Sequence, residues 1–234
     1  SGTQYTFSGA FWVGAVVGRD TLVSVGADGW QTAREMEPLE DEFGGLMVRR
    51  SILDPSSPEF EGALSQEDFV CKYADTASNL RVVDRIDVRP HRPLGIEVTE
   101  RSFAWSYDYA EDFVLFDYSI KNTSSRRLSS VYMGIYCDAD VGGISEQNAY
   151  VDDVCGFLET IPSPKISSHD CEGRLLDTVT SAWVADNDGD FNKDIPVPHV
   201  TATRVVRTPA ETLNVSFNWW ISSGTAAQDF GPMR

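Results

Sequence analysis

The chain has 234 residues, 41% hydrophobic and 24% charged, which excludes wholesale disorder and allows a hydrophobic core of full size. Its 36 acidic and 19 basic residues leave a formal net charge of −17, a field that repels phosphate backbones and argues against a nucleic-acid partner. No run approaches the ~20 apolar residues of a membrane-spanning helix, so no membrane span is expected.

The sequence starts at Ser1-Gly2 without an initiator Met or an apolar leader, as expected of a mature or excised piece. Strand signals then dominate. Tyr5 to Val17 is apolar and rich in β-branched and aromatic residues; Gly18-Arg19-Asp20 turns it into Thr21 to Val25, the pattern of a hairpin. Residues 31–68 are acidic and carry Pro38, Pro55, Pro58 and Gly44-Gly45, which predicts a long irregular excursion with at most short strands. Phe69 to Tyr73 and Val82 to Val88 read as short strands, and the prolines at 90 and 93 end regular structure.

Three successive runs follow, Leu94 to Tyr107, Asp112 to Lys121 and Leu128 to Asp138, each of strand length and composition. The polar link Asn122 to Arg127 predicts that the last two pair as antiparallel neighbours. In the middle run Val114, Phe116, Tyr118 and Ile120 alternate with Phe113, Leu115, Asp117 and Ser119 and form the expected core face. Val179 to Ala185, Thr201 to Arg207 and Leu213 to Ser222 complete about nine strands with no amphipathic helix. The expected fold is all-β: an antiparallel β-sandwich with long loops, in a single domain over 1–234.

The charge is unevenly spread. From Asp138 to Asp194, 57 residues hold ten Asp and three Glu against Lys165, Arg174 and Lys193. Asp138 and Asp140 end a predicted strand, Asp152 and Asp153 follow in a polar loop, and Asp186, Asp188 and Asp190 alternate around Gly189 after the strand Val179 to Ala185. Calcium takes six to eight oxygen ligands, mostly carboxylates and carbonyls on backbone that can curl around the ion, and these seven aspartates are the expected metal ligands. The last cluster is not an EF-hand loop: counted from Asp186, position six is Phe191 and position twelve is Val197. An acidic surface that binds nothing is the plain alternative.

Four cysteines allow three complete disulfide pairings. Cys155 and Cys171 flank a Pro/Ser-rich loop and are the preferred pair, while Cys137 is compatible with a free thiol or a bridge to Cys71. Trp219-Trp220 on a predicted strand must point to opposite faces, and Trp105 lies close to Tyr107 and Tyr109, so an exposed aromatic platform for sugars is a second reading.

The phrases FWVGAVVGRDTLVSVGADGW, RPLGIEVTERSFAWSYDYAEDFVLFDYSIKN, VYMGIYCDADVGG, DDVCGF, AWVADNDGD and SFNWWISSG resemble a group of large secreted proteins of environmental bacteria, whose chains often end in a secretion-sorting module. The resemblance covers nearly the whole chain. It implies an extracellular or cell-surface address and a β-rich fold, and it brings no activity with it.

No G-x-S-x-G or H-E-x-x-H motif occurs, and 36 acids nominate no particular pair for glycoside hydrolysis. His91 and His199 stand beside prolines and read as loop residues; in His169-Asp170-Cys171 adjacent residues seldom converge on one substrate atom. The reading is therefore a calcium-stabilised extracellular structural or interaction module. Its partners would be further copies of itself, joined through strand edges or the apolar segment Tyr5 to Val17, or another extracellular protein. A carbohydrate-binding module with a glycan partner, or a polysaccharide-acting enzyme domain, is the alternative.

Overall fold

The structure, a computed structural model, describes residues 2–27, 35–40, 44–77, 90–144, 153–162, 178–187, 197, 199–210 and 213–219. Among these there is no helix, and the fold is all-β. Thirteen strands are described, three of them only two residues long. The chain divides into two compact units, one spanning Gly9–Tyr136 and the other combining Ser1–Ser8 with Cys137–Arg234.

The first unit is built on β2 (Ser8–Val17), β3 (Asp20–Val25), β4 (Glu37–Pro38), β5 (Met47–Arg50), β6 (Glu67–Ala74), β7 (Ile96–Ala104), β8 (Val114–Asn122) and β9 (Leu128–Asp138). β2 and β3 form the expected hairpin, with Val17 opposite Asp20 and Gly18 at φ 67°, a conformation only glycine adopts without cost. One sheet runs β3-β2-β9; the other runs β4-β6-β7-β8, with β5 also paired to β6. The two sheets face each other as a sandwich. Phe11, Val13 and Ala15 of β2 and Leu22 of β3 pack with Leu94 and with Ile96 and Val98 of β7, while Tyr73, Tyr118, Ile120 and Leu128 close the margins. Phe11 stacks on Tyr118 with ring centroids 4.4 Å apart.

Two expectations are overturned here. Asp112 to Lys121 and Leu128 to Asp138 do not pair with each other: β8 pairs with β7, and β9 lies in the other sheet beside β2. The link between them is an arch and not a hairpin turn, because it is tied to the start of β7. Thr123 and Ser124 donate their N–H groups to the Gly95 carbonyl at 2.8 and 3.2 Å, and the Arg126 guanidinium donates to the carbonyls of Pro93 and Leu94. The N-terminal apolar segment is not an edge either, since β2 has strands on both sides.

A buried carboxylate joins the sheets. Asp75 accepts the N–H groups of Leu94, Gly95 and Ile96 at 2.6–3.0 Å and the Ser24 hydroxyl of β3 at 2.7 Å. Three consecutive N–H groups converge because Gly95 stands at φ 80°. His91 is buried beside this network: Nε2 lies 2.7 Å from the Asp75 carbonyl and Nδ1 3.2 Å from Glu35 Oε1, without an aligned hydrogen bond at the latter. Glu35 in turn accepts the Val25 N–H. In the sequence His91 reads only as a loop residue beside a proline; nothing local to it signals this burial.

The second unit holds β1 (Thr3–Gln4), β10 (Gly142–Gly143), β11 (Val154–Pro162), β12 (Thr178–Ala185) and β13 (Val200–Thr203), arranged as a β1-β10 pair and a β11-β12-β13 sheet. β12 falls where the sequence placed it. β11 occupies a stretch read as loop, and Leu213 to Asn218 forms no regular strand, leaving only an isolated bridge at Trp219. The expected strand Val82 to Val88 lies outside the described residues.

Candidate functional site

The acidic region belongs to the second unit. Val154 is opposite Ala185 in the β11–β12 register, so Asp153 and Asp186, each one residue further, stand at the same end of that strand pair. The stretch Asp138–Val141 is brought to this end by apolar packing: Val141, Val184 and Val197 form a small core with Tyr5 and Ala139 against it. One hydrogen bond fixes the meeting, from the Val141 N–H to Asp153 Oδ2 at 2.9 Å. The strand that delivers Asp138 is held by a backbone bond from the Phe7 N–H to the Asp138 carbonyl at 2.8 Å.

The electrostatics follow from this packing. Burial pushes the Asp140 carboxyl above the usual aspartate range, since a half-buried carboxylate loses hydration. Burial and then the Asp153 charge push the Cys155 thiol up in the same way. Four of the seven expected ligands are thus seen: Asp138, Asp140, Asp153 and Asp186, from three separated segments. Asp152, Asp188 and Asp190 lie outside the described residues. Among the described residues no three His, Cys, Asp or Glu side chains come close enough together to hold a metal ion.

Cys71, Cys137 and Cys155 carry free thiols, so the bridge from Cys137 to Cys71 is not formed. Cys171, the preferred partner of Cys155, lies outside the described residues. Cys137 shares the odd-numbered face of β9 with Val131, Met133 and Ile135, yet that face is exposed and not core.

A second feature was invisible in the sequence. The core-facing side of the five-stranded sheet runs on beyond Ile96 and Val98 into a cavity of about 240 Å³ lined by Met47, Phe69, Cys71, Glu100 and Ser102. The Tyr73 hydroxyl donates to Glu100 Oε2 at 2.9 Å. Burial pushes the Glu100 carboxyl up, a shift this hydrogen bond partly opposes. The alternation expected on β8 holds for Tyr118 and Ile120, but Val114 and Phe116 lie towards the uncovered end and are exposed. Aromatic rings also cluster after β7, where Tyr107 stacks on Tyr109 at 5.5 Å and Trp105 sits 6.1 Å from Phe113. Of the tryptophan pair, Trp219 is exposed and Trp220 lies outside the described residues.

Comparison with protein-family models, with curated proteins and with solved structures finds no match to this chain.

Proposed function

We propose that the chain is an extracellular structural or interaction module whose acidic region, from Asp138 to Asp194, is stabilised by calcium. The observation that carries this reading is the bond from the Val141 N–H, next to Asp140, to Asp153 just before β11, with Asp186 at the same end of the β11–β12 pair. Acidic residues from three segments thus lie near one end of a sheet, inside a region with thirteen acids and three bases. A divalent cation beside Asp140 would reverse the cost that burial imposes on its charged form, and binding only the folded state stabilises that state by mass action.

Calorimetric titration and thermal melting test this directly. Calcium is expected to bind and to raise the melting temperature; chelator lowers it again. Asp153→Asn should weaken the response, and Asp108→Asn, in the other unit, should leave it intact. Unchanged melting in calcium and chelator would reduce the cluster to an acidic surface. A carbohydrate-binding reading is favoured by one observation, the stacked pair Tyr107–Tyr109 with Tyr109 82% exposed. A glycan array read with wild type and Tyr109→Ala decides it: binding lost in the variant supports the platform, and no binding by wild type removes it.

A further inference from the structure

β8 is the last strand of its sheet, and among the described residues no strand lies on its far side. An open edge offers a row of backbone donors and acceptors to another strand. Its first residues are apolar and exposed: Val114 at 51%, Leu115 at 40% and Phe116 at 55%. Edge charges ordinarily discourage pairing, and β8 carries two on the face opposite the core, Asp117 and Lys121. Their spacing makes them complementary to themselves. When an identical strand is laid antiparallel with Ser119 opposite Ser119, Asp117 of each copy faces Lys121 of the other. Centring the pair on Tyr118 or Ile120 loses both matches.

The next strand extends the pattern. In the β7–β8 register Asp117 is opposite Arg101 and Lys121 is opposite Glu97. The paired edge would therefore produce a row reading Glu97, Lys121, then the second copy's Asp117 and Arg101, with charges alternating across four strands. The twofold axis generates the same row again. Between the two rows, Ser119 meets Ser119 of the second copy with Thr99 on the far side of each, so no large side chain crowds the axis. Cross-strand pairs of opposite charge stabilise a sheet and like charges directly opposite destabilise it.

We propose that this edge joins two copies of the chain, antiparallel along β8 about a twofold axis at Ser119, so that their β4-β6-β7-β8 sheets become one continuous sheet. The proposal rests on the reading of the chain as an interaction module and names the partner as a second copy of itself. The closed twofold arrangement uses up both edges and so stops at the dimer.

Sedimentation of the full chain across a wide concentration range is the test. Wild type is expected to dimerise reversibly. Asp117→Lys and Lys121→Glu should each weaken the dimer by at least about tenfold, because each sets like charges opposite one another twice. An equimolar mixture of the two variants should recover association as a heterodimer, since a strand with two lysines then faces a strand with two acids. Ser119→Cys, which leaves the charges alone, should give under mild oxidation a dimer linked through position 119 by peptide mapping. A strictly monomeric wild type overturns the proposal. So does association that survives both single substitutions, or a mixture that stays monomeric while both variants melt like wild type. The calcium response, measured on the same samples, reports separately: its loss with the dimer intact removes the calcium reading alone, and a monomer that still responds to calcium removes the dimer alone.

Discussion

The two units handle buried or crowded carboxylates in different ways. In the unit Gly9–Tyr136 the protein itself supplies the donors. Asp75, fully buried, takes three backbone N–H groups and a hydroxyl; Asp68, also buried, takes the N–H groups of Leu64 and Ser65 and the Ser65 hydroxyl. In the other unit the Asp153 carboxylate receives the Val141 N–H, but Asp140 is pushed up by burial, and the surrounding sequence adds a large surplus of negative charge. A carboxylate satisfied by backbone donors acts as a fold-holding pin. Where like charges are gathered in one region they repel one another, and a bound cation is the compensation proposed for them.

The sharpest way to break this contrast is to remove the pin. Asp75→Ala leaves three buried N–H groups and the Ser24 hydroxyl without their acceptor, and the loss expected in chemical denaturation is on the order of 3 kcal/mol or more. Calcium should restore none of it. A variant that unfolds no more readily than wild type would show that the network contributes little. Chelation acts on the other unit, and its effect should be next in size: about 2.7 kcal/mol for one site at a hundredfold excess of calcium over its dissociation constant. Melting of Asp153→Asn with and without calcium separates that contribution from the small cost of the lost Val141 bond.

Gly95→Ala should cost about 2 kcal/mol, because a side chain at φ 80° is strained and its Cβ would lie 2.6 Å from Ser124 Cβ in the arch. The measurement is again denaturation, and the combined variant with Asp75→Ala should lose less than the sum, since both act on one network. The smallest effect concerns Glu100. Burial raises its folded value above the ordinary 4.5, so its charged form disfavours folding. That cost is absent below 4.5 and grows as pH rises through this value towards the raised one. Glu100→Gln keeps an acceptor for the Tyr73 hydroxyl and loses the charge. It should therefore match wild type in acid and become the more stable of the two towards neutral pH; parallel stability curves would contradict this.

Local pattern was enough for several elements. The hairpin of β2 and β3 could be read because Gly18 and Arg19 separate two apolar runs, and β9 matches its predicted span, Leu128 to Asp138, because composition and flanking turns bound it on both sides. In the acidic region, Asp138 ends β9 and Asp186 follows β12, both strands that composition and alternation mark, whereas Asp153 precedes β11. The sequence also missed β11, and it placed a strand from Leu213 where Leu213 to Asn218 forms none.

What depends on distant partners was decided only by the tertiary structure. Strand composition does not say which neighbour a strand takes, and Asn122 to Arg127 looks like any polar turn until Gly95, Pro93 and Leu94 supply the carbonyls that bend it into an arch between sheets. Asp75 is one acid among 36 until three N–H groups about 20 residues away close on it. His91 and Glu35 are buried because segments from both sheets converge there. The self-complementarity of Asp117 and Lys121 is written in the sequence, but it acquires meaning only once β8 is found at the edge of its sheet, since a charge pattern can recruit a partner only where backbone groups remain to be paired.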